Sequence, residues 1–268
     1  SINVDFEPTP EDIIFNFAAV HRTPGHEDFE YFDTNVNGAQ NVTDFAERYG
    51  IKSIVFSSSI AVYGASEDLK SEDSLPTSMT SYGTSKLQAE SIHMTWQAKD
   101  PERRLLIVRP GVVFGKGENG NFSRLHKAIK TFRFAYPGRK DTIKACMYVK
   151  ELVNFIMWYI KKPVKEVDVY NCTFEPAYTI SQICNAMKSA TNLNRFILLI
   201  PSWILMPAAA VIGALGAPMG ICPARVKKLM VSTNICGKKL AASGYTFKYT
   251  FDEALRDWFK DNDNICLE

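Results

Sequence analysis

The sequence is informative first for the patterns that it does not contain. Its four histidines are scattered, its six cysteines form no Cys-x-x-Cys pair, and no Gly-x-Ser-x-Gly motif occurs. These absences argue against a metal site, a redox-active dithiol and a serine-hydrolase elbow. The 31 Lys and Arg residues nearly balance the 29 Asp and Glu residues, and no long basic run gives a reason to expect nucleic acid. We expect free thiols in a reducing cytoplasm.

What the sequence does contain predicts a folded α/β protein. With 268 residues, 46% hydrophobic and 22% charged, the chain can bury a sizeable core. Short apolar runs alternate with helical patterns, as in a buried parallel sheet covered by helices. We expect strands at 13–17, 52–57, 104–109 and 167–171. We expect helices near 32–48, 80–99, 121–132, 150–161, 179–190 and 251–260, with Thr179 and Gln182 forming a capping box.

The strongest chemical signal is a tyrosine and a lysine four residues apart. Tyr82 and Lys86 would share one helix face, where the ammonium could favour the deprotonated phenol. A free phenol has a pKa of about 10, which is too high for acid/base work near neutrality. The block that ends in Ser59 follows an apolar strand 23 residues before the tyrosine, and its hydroxyl could hold a substrate oxygen. Alone, the Tyr and Lys would be ordinary surface residues; with the serine block they predict a catalytic trio.

Five segments in one order carry a resemblance to a known family. They lie at 13–19, 35–38, 54–64, 82–86 and 109–115. In this order they resemble the extended short-chain dehydrogenases/reductases, specifically the NAD-dependent sugar-nucleotide epimerases and dehydratases. The resemblance implies a Rossmann-like parallel sheet with helices on both faces and a smaller, mostly helical substrate lobe. We expect a partial NAD(P)-binding domain at 1–115 and a mainly substrate-binding lobe at 116–268, with a returning strand near 167–171.

The resemblance also implies site residues, a cofactor and a substrate class. The catalytic residues would be Ser59, Tyr82 and Lys86. Contacts to NAD or NADP would come from Asp5, Phe17, Ala18, Ala19, His21, Asn35, Ser57, Ser58, Tyr82, Lys86, Pro110, Val112 and Val113. Contacts to a nucleotide sugar would come from Ser59, Asn121, Phe122, Lys144 and Arg225. Two of these have an equal alternative, since His21 could be an ordinary loop histidine and Lys144 a solvated surface charge.

One part of the family pattern is missing from the printed sequence. Family members begin with a strand, a Gly-x-x-Gly-x-x-Gly turn and a helix whose N-terminus receives the cofactor pyrophosphate. These 268 residues contain no such turn, and the first of them resemble the end of the family's third strand. We therefore expect the first βαβαβ unit to be absent, because the chain is a fragment or because that part was never made. The chain as written would then bind NAD(P) poorly and could be inactive.

The residues after Ser59 narrow the expected reaction. Dehydratases of the family carry Thr-Asp-Glu there, whereas this chain has Ser59, Ile60 and Ala61, without a carboxylate. We expect an epimerase or keto-reductase of a nucleotide-diphosphate sugar, an oxidoreductase or isomerase of polysaccharide biosynthesis. Tyr82 would act as acid/base, Lys86 would hold the nicotinamide ribose, and Ser59 would bond the reacting oxygen. A reductase of an apolar steroid- or flavonoid-type substrate and a catalytically silent binding protein remain alternatives. The resemblance further implies a homodimer.

An uncharged apolar segment at 196–216 raises the question of a membrane. Its length of about 20 residues could span a bilayer. Pro201 and Pro207 interrupt it, however, and leave an unbroken helix too short to cross. We expect no membrane span and a soluble lobe, with a peripheral membrane contact as the alternative.

Overall fold

A computed structural model describes residues 5–21, 26–163, 166–207 and 229–268 of the chain. Its strands are β1 (Ile13–Asn16), β2 (Ser53–Ser57), β3 (Ser66–Lys70), β4 (Arg104–Pro110), β5 (Val112–Phe114), β6 (Tyr136–Pro137), β7 (Ile143–Lys144), β8 (Cys146–Tyr148), β9 (Val167–Cys172), β10 (Tyr178–Thr179), β11 (Leu199–Ile200) and β12 (Thr233–Ile235). Its helices include α1 (Asp28–Phe32), α2 (Gly38–Tyr49), α3 (Ser81–Ala98), α4 (Asn121–Lys130), α5 (Val149–Tyr159), α6 (Ile180–Ala190), α7 (Lys238–Ala241) and α8 (Phe251–Asp261). A π-helical turn (Asp33–Asn37) precedes α2, a 3-10 turn (Ile60–Tyr63) follows β2, and residues 202–207 are helical.

The centre of the fold is a four-stranded parallel sheet in the order β1-β2-β4-β9. The middle strands are buried on both faces, because runs such as Ile54, Val55 and Phe56 leave no polar side for water. All four predicted strands are confirmed, each to within a residue at either end. The six predicted helices are confirmed as well; the first consists of the π-helical turn and α2, and α1 extends it at the N-terminus.

Helices cover both faces of this sheet, as predicted. On one face α2 and α3 bury Phe45 and Trp96 against Ile54 and Ile107. On the other face α5 buries its apolar side chains, among them Phe155, in a cluster with residues of β2, β4 and β9. Burial of each such side chain stabilises the fold by about 1.5–3 kcal/mol. The sheet is therefore held rigidly enough for its strand ends to position side chains.

A second hydrophobic cluster lies among α4, α6, α8 and the β5–β8 pair. The ring of Phe114 is at its centre and stacks on the ring of Phe122 with centroids 4.7 Å apart. Strand β9 and helix α5 nevertheless belong to the central sheet, although both come from the second half of the chain. The division into domains at residue 115 stays a prediction.

Two local predictions concern helix starts and the membrane. Thr179 and Gln182 form the predicted capping box at the start of α6, so that prediction is confirmed. Within the described ranges, no helix has both the length and the apolar character needed to cross a bilayer. Of the apolar segment at 196–216, residues 208–216 lie outside the described residues.

Candidate active site

The start of helix α3 is fixed by a close approach of two backbones. Thr80 caps the helix by accepting a hydrogen bond from the amide of Gly83 over 3.1 Å. A methyl group at Gly83 would collide with the carbonyl oxygen of Ala61 and with the side chain of Ser78. Only glycine lets the first turn of α3 lie this close to the 3-10 turn. This contact brings Tyr82 beside the residues that follow β2.

The end of β2 supplies the hydroxyl of the predicted trio. The Ser59 hydroxyl accepts a hydrogen bond from the Ala61 amide over 3.1 Å and thereby caps the 3-10 turn. The Ser59 hydroxyl also lies close enough to the phenol of Tyr82 to change the pKa of that phenol. Burial raises the pKa of Tyr82, and a hydrogen bond with Ser59 opposes that rise. The structure thus brings Ser59 and Tyr82 together, as the spacing of the motif suggests.

Lys86 lies one turn further along α3 and is almost completely buried. Its ammonium donates a hydrogen bond to the carbonyl of Ser57 over 2.7 Å and sits 4.7 Å from the centre of the Phe56 ring. Burial lowers the pKa of Lys86 to about 8, although Glu90 acts in the opposite direction. The expectation that Lys86 lowers the pKa of Tyr82 is not met, since that pKa is raised. The physical reason is that burial of the phenol dominates, while the ammonium is directed to the Ser57 carbonyl.

Hydrogen bonds of the Asn35 side chain connect helix α3 to the loop after β1. Its side-chain oxygen accepts from the Val20 amide over 3.0 Å, and its amide group donates to the Val20 carbonyl and to the Ser85 hydroxyl. Ser85 donates in turn to the carbonyl of Tyr82 over 2.8 Å. Asn35 lies in the π-helical turn, a departure from α-helix that is frequent at functional sites. Both amide hydrogens serve the protein itself, which supports a positioning role rather than donation to a cofactor.

Apart from Asp5, which precedes β1, the other predicted cofactor residues lie at or after the carboxyl ends of the parallel strands, where open α/β sheets bind ligands. Ser58 is buried at the end of β2, and its hydroxyl has no hydrogen-bond partner among the described residues. A buried hydroxyl without a partner is costly, so its presence at this edge points to a ligand. Asp5 and His21 are exposed. The remaining positions follow β1, end β4 or lie on β5: Phe17, Ala18, Ala19, Pro110, Val112 and Val113.

Comparison with known proteins identifies the family. The model of the NAD dependent epimerase/dehydratase family matches residues 6–173. The chain belongs to this family. It is 32% identical over 254 residues to the N-acetyl-alpha-D-glucosaminyl-diphospho-ditrans,octacis-undecaprenol 4-epimerase of Escherichia coli O157:H7, covering 91% of this chain and 75% of that protein. It is 25% identical to UDP-glucose 4-epimerase 3 of Oryza sativa subsp. japonica, covering 94% of this chain and 69% of the relative.

Solved structures agree with the fold of the epimerase/dehydratase family. MoeE5 in complex with UDP-glucuronic acid and NAD superposes with a TM-score of 0.70 at 21% identity, over 93% of this chain and 79% of MoeE5. At that identity the match supports the Rossmann-like fold and nothing finer.

A buried ion pair behind the site was not predicted from the sequence. Arg109 donates two hydrogen bonds to the carboxylate of Glu90, over 2.8 and 2.6 Å, and a third to the hydroxyl of Tyr63 over 2.6 Å. Tyr63 then donates to the side chain of Asn171 over 2.9 Å. Glu90 is one turn after Lys86 on α3, so this network ties the site helix to β4 and β9. Arg109 opens the Arg-Pro segment of the epimerase/dehydratase pattern, but nothing local in the sequence pairs it with a glutamate 19 residues earlier.

The structure places the predicted substrate residues in different environments. The expectation for Phe122 is wrong for its side chain, which is 4% exposed and stacks on Phe114 in the core. Asn121 is exposed at the start of α4, where the Glu118 carboxylate accepts from the Ser123 amide over 2.9 Å. That carboxylate already occupies the helix terminus, which disfavours a phosphate there.

Lys144 and Arg225 are the two cationic residues among the predicted substrate contacts. The Lys144 ammonium donates to the Val231 carbonyl over 2.6 Å and is half-buried, so it is not a freely solvated surface charge. Arg225 lies outside the described residues. In the described part of the chain, no three His, Cys, Asp or Glu side chains are grouped to hold a metal ion.

Proposed function

We propose that this chain catalyses the NAD(P)-dependent epimerisation of a sugar joined to a nucleoside diphosphate. The observation that carries the proposal is the grouping of Tyr82, Ser59 and Lys86 at the carboxyl edge of the sheet. Both relatives named above are 4-epimerases of diphosphate-linked sugars. Dehydration is disfavoured because no carboxylate follows Ser59.

The three side chains have distinct roles in this proposal. Tyr82 takes the proton from the sugar hydroxyl and returns it, while Ser59 donates a hydrogen bond to the same oxygen and keeps the phenol aligned. Lys86 holds the end of β2 through the Ser57 carbonyl and offers its remaining hydrogens to the ribose of the cofactor. A bound nicotinamide would supply hydride transfer from the sugar carbon and back to it.

The carboxyl edge of the sheet fits such a cofactor. Ser58 carries a buried hydroxyl that would gain a partner from it. We assign further cofactor contacts to the remaining predicted residues: Asp5, Phe17, Ala18, Ala19, His21, Ser57, Pro110, Val112 and Val113. Asn35 is reassigned to holding the loop after β1 in place.

A second candidate substrate is a sugar on a lipid diphosphate. The Escherichia coli relative is named for a sugar on undecaprenol diphosphate. The observation that favours this class here is the set of exposed apolar side chains between 196 and 204, including Phe196 and Trp203. Both classes present the same diphosphate-linked hexose to Tyr82, so the chemistry of the site does not change.

Replacing Tyr82 with Phe tests the proposal. We expect turnover of UDP-glucose or UDP-N-acetylglucosamine to fall by about 100- to 10,000-fold, because the ring still packs but cannot transfer a proton. Tyr49→Phe is the matched control, since Tyr49 packs on Phe45 away from the site and should leave the rate unchanged. A Tyr82→Phe variant that kept more than a tenth of the rate would rule out Tyr82 as the acid/base.

Cofactor binding is measured first, by calorimetric titration of NAD and NADP. The rate assay then uses whichever of NAD and NADP binds. Turnover of a steroid or flavonoid panel in place of every sugar would support the apolar reductase, and no turnover at all would support a binding protein. The homodimer stays a prediction, and analytical ultracentrifugation would test it.

A further inference from the structure

An exposed surface beyond the site combines apolar side chains with cations. Its most prominent residues are Phe196, Trp203 and Phe132, which are 80%, 76% and 69% exposed. Such large side chains are normally buried, and an exposed group of them marks an interaction site. We name the following residues the apolar-basic surface: Lys130, Phe132, Arg133, Lys140, Arg195, Phe196, Leu198, Leu199, Trp203 and Ile204.

The fold holds the two segments of this surface side by side. Strand β11 pairs with β6 in parallel, and the Tyr136 amide donates to the Leu198 carbonyl over 2.8 Å. The guanidinium of Arg195 lies over the ring of Phe132, 4.2 Å from its centre. Phe132 itself is in the left-handed region with φ 56°, a conformation that costs energy for a non-glycine residue. The exposed ring is thus built into a paired, ordered structure rather than a chain end.

Cations outnumber acidic residues in the two segments that form this surface, and Arg139 next to it is paired with Glu67 and Asp141. Between Glu118 and Asp141 the sequence has no acidic residue and six basic ones: Arg124, Lys127, Lys130, Arg133, Arg139 and Lys140. Between Glu175 and Pro207 it again has no acidic residue and two basic ones, Lys188 and Arg195. The whole chain has a net charge of only +2, so the excess is local.

We propose that the apolar-basic surface binds the face of an anionic phospholipid bilayer. Aromatic side chains favour the headgroup level of a membrane, and neighbouring Lys and Arg residues are attracted to anionic lipids. Phe196 and Trp203 would enter the headgroup region while Lys130 and Arg133 contact lipid phosphates. The protein lies on the membrane by this surface and does not span it.

A bilayer fits the surface better than another protein does. Its side chains project from the β6–β11 pair, from the turn at Phe132 and from the helical residues 202–207, and a fluid bilayer surface can receive them without a shaped groove. An acidic nucleic acid would also meet the cations, but it gives no reason for exposed aliphatic residues such as Leu198 and Ile204. The combination of cations with both aromatic and aliphatic tips is the pattern expected of interfacial binding.

Vesicle flotation tests the proposal and needs no cofactor or substrate, so its outcome is separate from that of the proposed function. We expect the chain to float with vesicles that contain phosphatidylglycerol and to stay behind with pure phosphatidylcholine at the same salt concentration. Removing one cation, as in Arg133→Gln, should weaken binding about fivefold. High salt should have the same effect, because it screens exposed charges.

The fluorescence of Trp203 reports on binding at the apolar-basic surface itself. It is the most exposed of the four tryptophans, since Trp96 and Trp258 are buried and Trp158 is half-buried. Its emission should shift to the blue with anionic vesicles and be quenched by lipids labelled near the headgroup. Trp203→Phe should keep the binding and lose most of this quenching.

The double variant Phe196→Ser, Trp203→Ser should bind anionic vesicles at least about tenfold more weakly, because both apolar tips are lost. Both residues are exposed, so the melting temperature should be unchanged. Phe29→Ser is the matched control, because Phe29 is an aromatic residue 70% exposed on α1, outside this surface. Equal binding by the double variant, or no binding to any vesicle at low salt, would overturn the proposal. Self-association that depends on Phe196 and occurs without vesicle binding would also overturn it, in favour of a second copy as occupant.

Discussion

Lys86 donates a hydrogen bond from its buried ammonium to the backbone carbonyl of Ser57 over 2.7 Å. This single contact ties the helix that carries Tyr82 to the strand end that carries Ser59. The charge is kept in a poorly solvated place, where its pKa falls from 10.5 to about 8. Its protonation must therefore be linked to the stability of the fold.

The first prediction follows from that linkage. Between about pH 8 and 10.5 the unfolded chain keeps the lysine proton while the folded chain releases it, so the unfolded state binds more protons. Stability contributed by this group therefore rises with pH across that interval, by at most about 1.4 kcal/mol per pH unit. Lys86→Met removes the titration, so its free energy of unfolding should lack this rise.

Urea unfolding of both proteins at a series of pH values measures the effect. The difference between wild type and Lys86→Met is the quantity to follow, because buried tyrosines such as Tyr159 and Tyr245, whose pKa values are raised, act in the opposite direction above pH 10. Parallel curves for the two proteins would show that the Lys86 pKa is not lowered.

The second prediction concerns Ser59 and the pH dependence of the reaction. The hydrogen bond with Ser59 holds the pKa of Tyr82 below the value that burial alone would give. Ser59→Ala should therefore shift the rise of kcat/KM to higher pH, and should slow the reaction by about 100-fold as a donor to the reacting oxygen is lost. Ser59→Thr keeps the hydroxyl and should retain most of the rate. An unshifted pH profile in the alanine variant would contradict the contact with Tyr82.

The third prediction tests the backbone approach at the start of α3. Gly83→Ala should destabilise the protein by on the order of 2 kcal/mol or more, because the added methyl meets the carbonyl oxygen of Ala61 and main-chain atoms must shift. Gly38→Ala is the control, since a methyl there meets nothing within 4 Å on a helix. That substitution should stabilise by about 0.5–1 kcal/mol. Thermal unfolding of the two variants measures both signs, and equal shifts would contradict the close approach.

The fourth prediction concerns the buried pair behind the site. Glu90→Gln leaves the guanidinium of Arg109 buried without its carboxylate, which should cost about 3–5 kcal/mol. Replacing both partners, as in Glu90→Leu with Arg109→Met, should cost less than Glu90→Gln alone, because the buried guanidinium is removed together with its carboxylate. Denaturant midpoints of the two variants give the comparison. A double variant less stable than Glu90→Gln would mean that the network contributes more than the pairing of two charges.

Several elements were predictable because their signals are local. The strand at Ile54–Phe56 is apolar on both faces, which is enough to predict a buried parallel strand. The spacing of Thr179 and Gln182 is by itself enough to predict the start of a helix. The two-residue strands β6 and β11 carry no periodic pattern, and their pairing across more than 60 residues was not predicted.

Other features arise only when distant segments meet. The pairing of Arg109 with Glu90 depends on how α3 lies across β4, and the burial of Phe122 depends on the cluster around Phe114. The family pattern implied a substrate contact for Phe122, yet packing assigned its side chain to the core.

The sequence by itself determined the order of strands and helices and the spacing of Ser59, Tyr82 and Lys86, because hydrophobic periodicity and motif spacing act over a few residues. The tertiary structure decided the ionisation of those residues. Burial raises the pKa of Tyr82 and lowers that of Lys86, and the Ser57 carbonyl, rather than the phenol, receives the ammonium. The physical reason is that desolvation and hydrogen bonding depend on everything packed around a group, which includes segments far away in the chain.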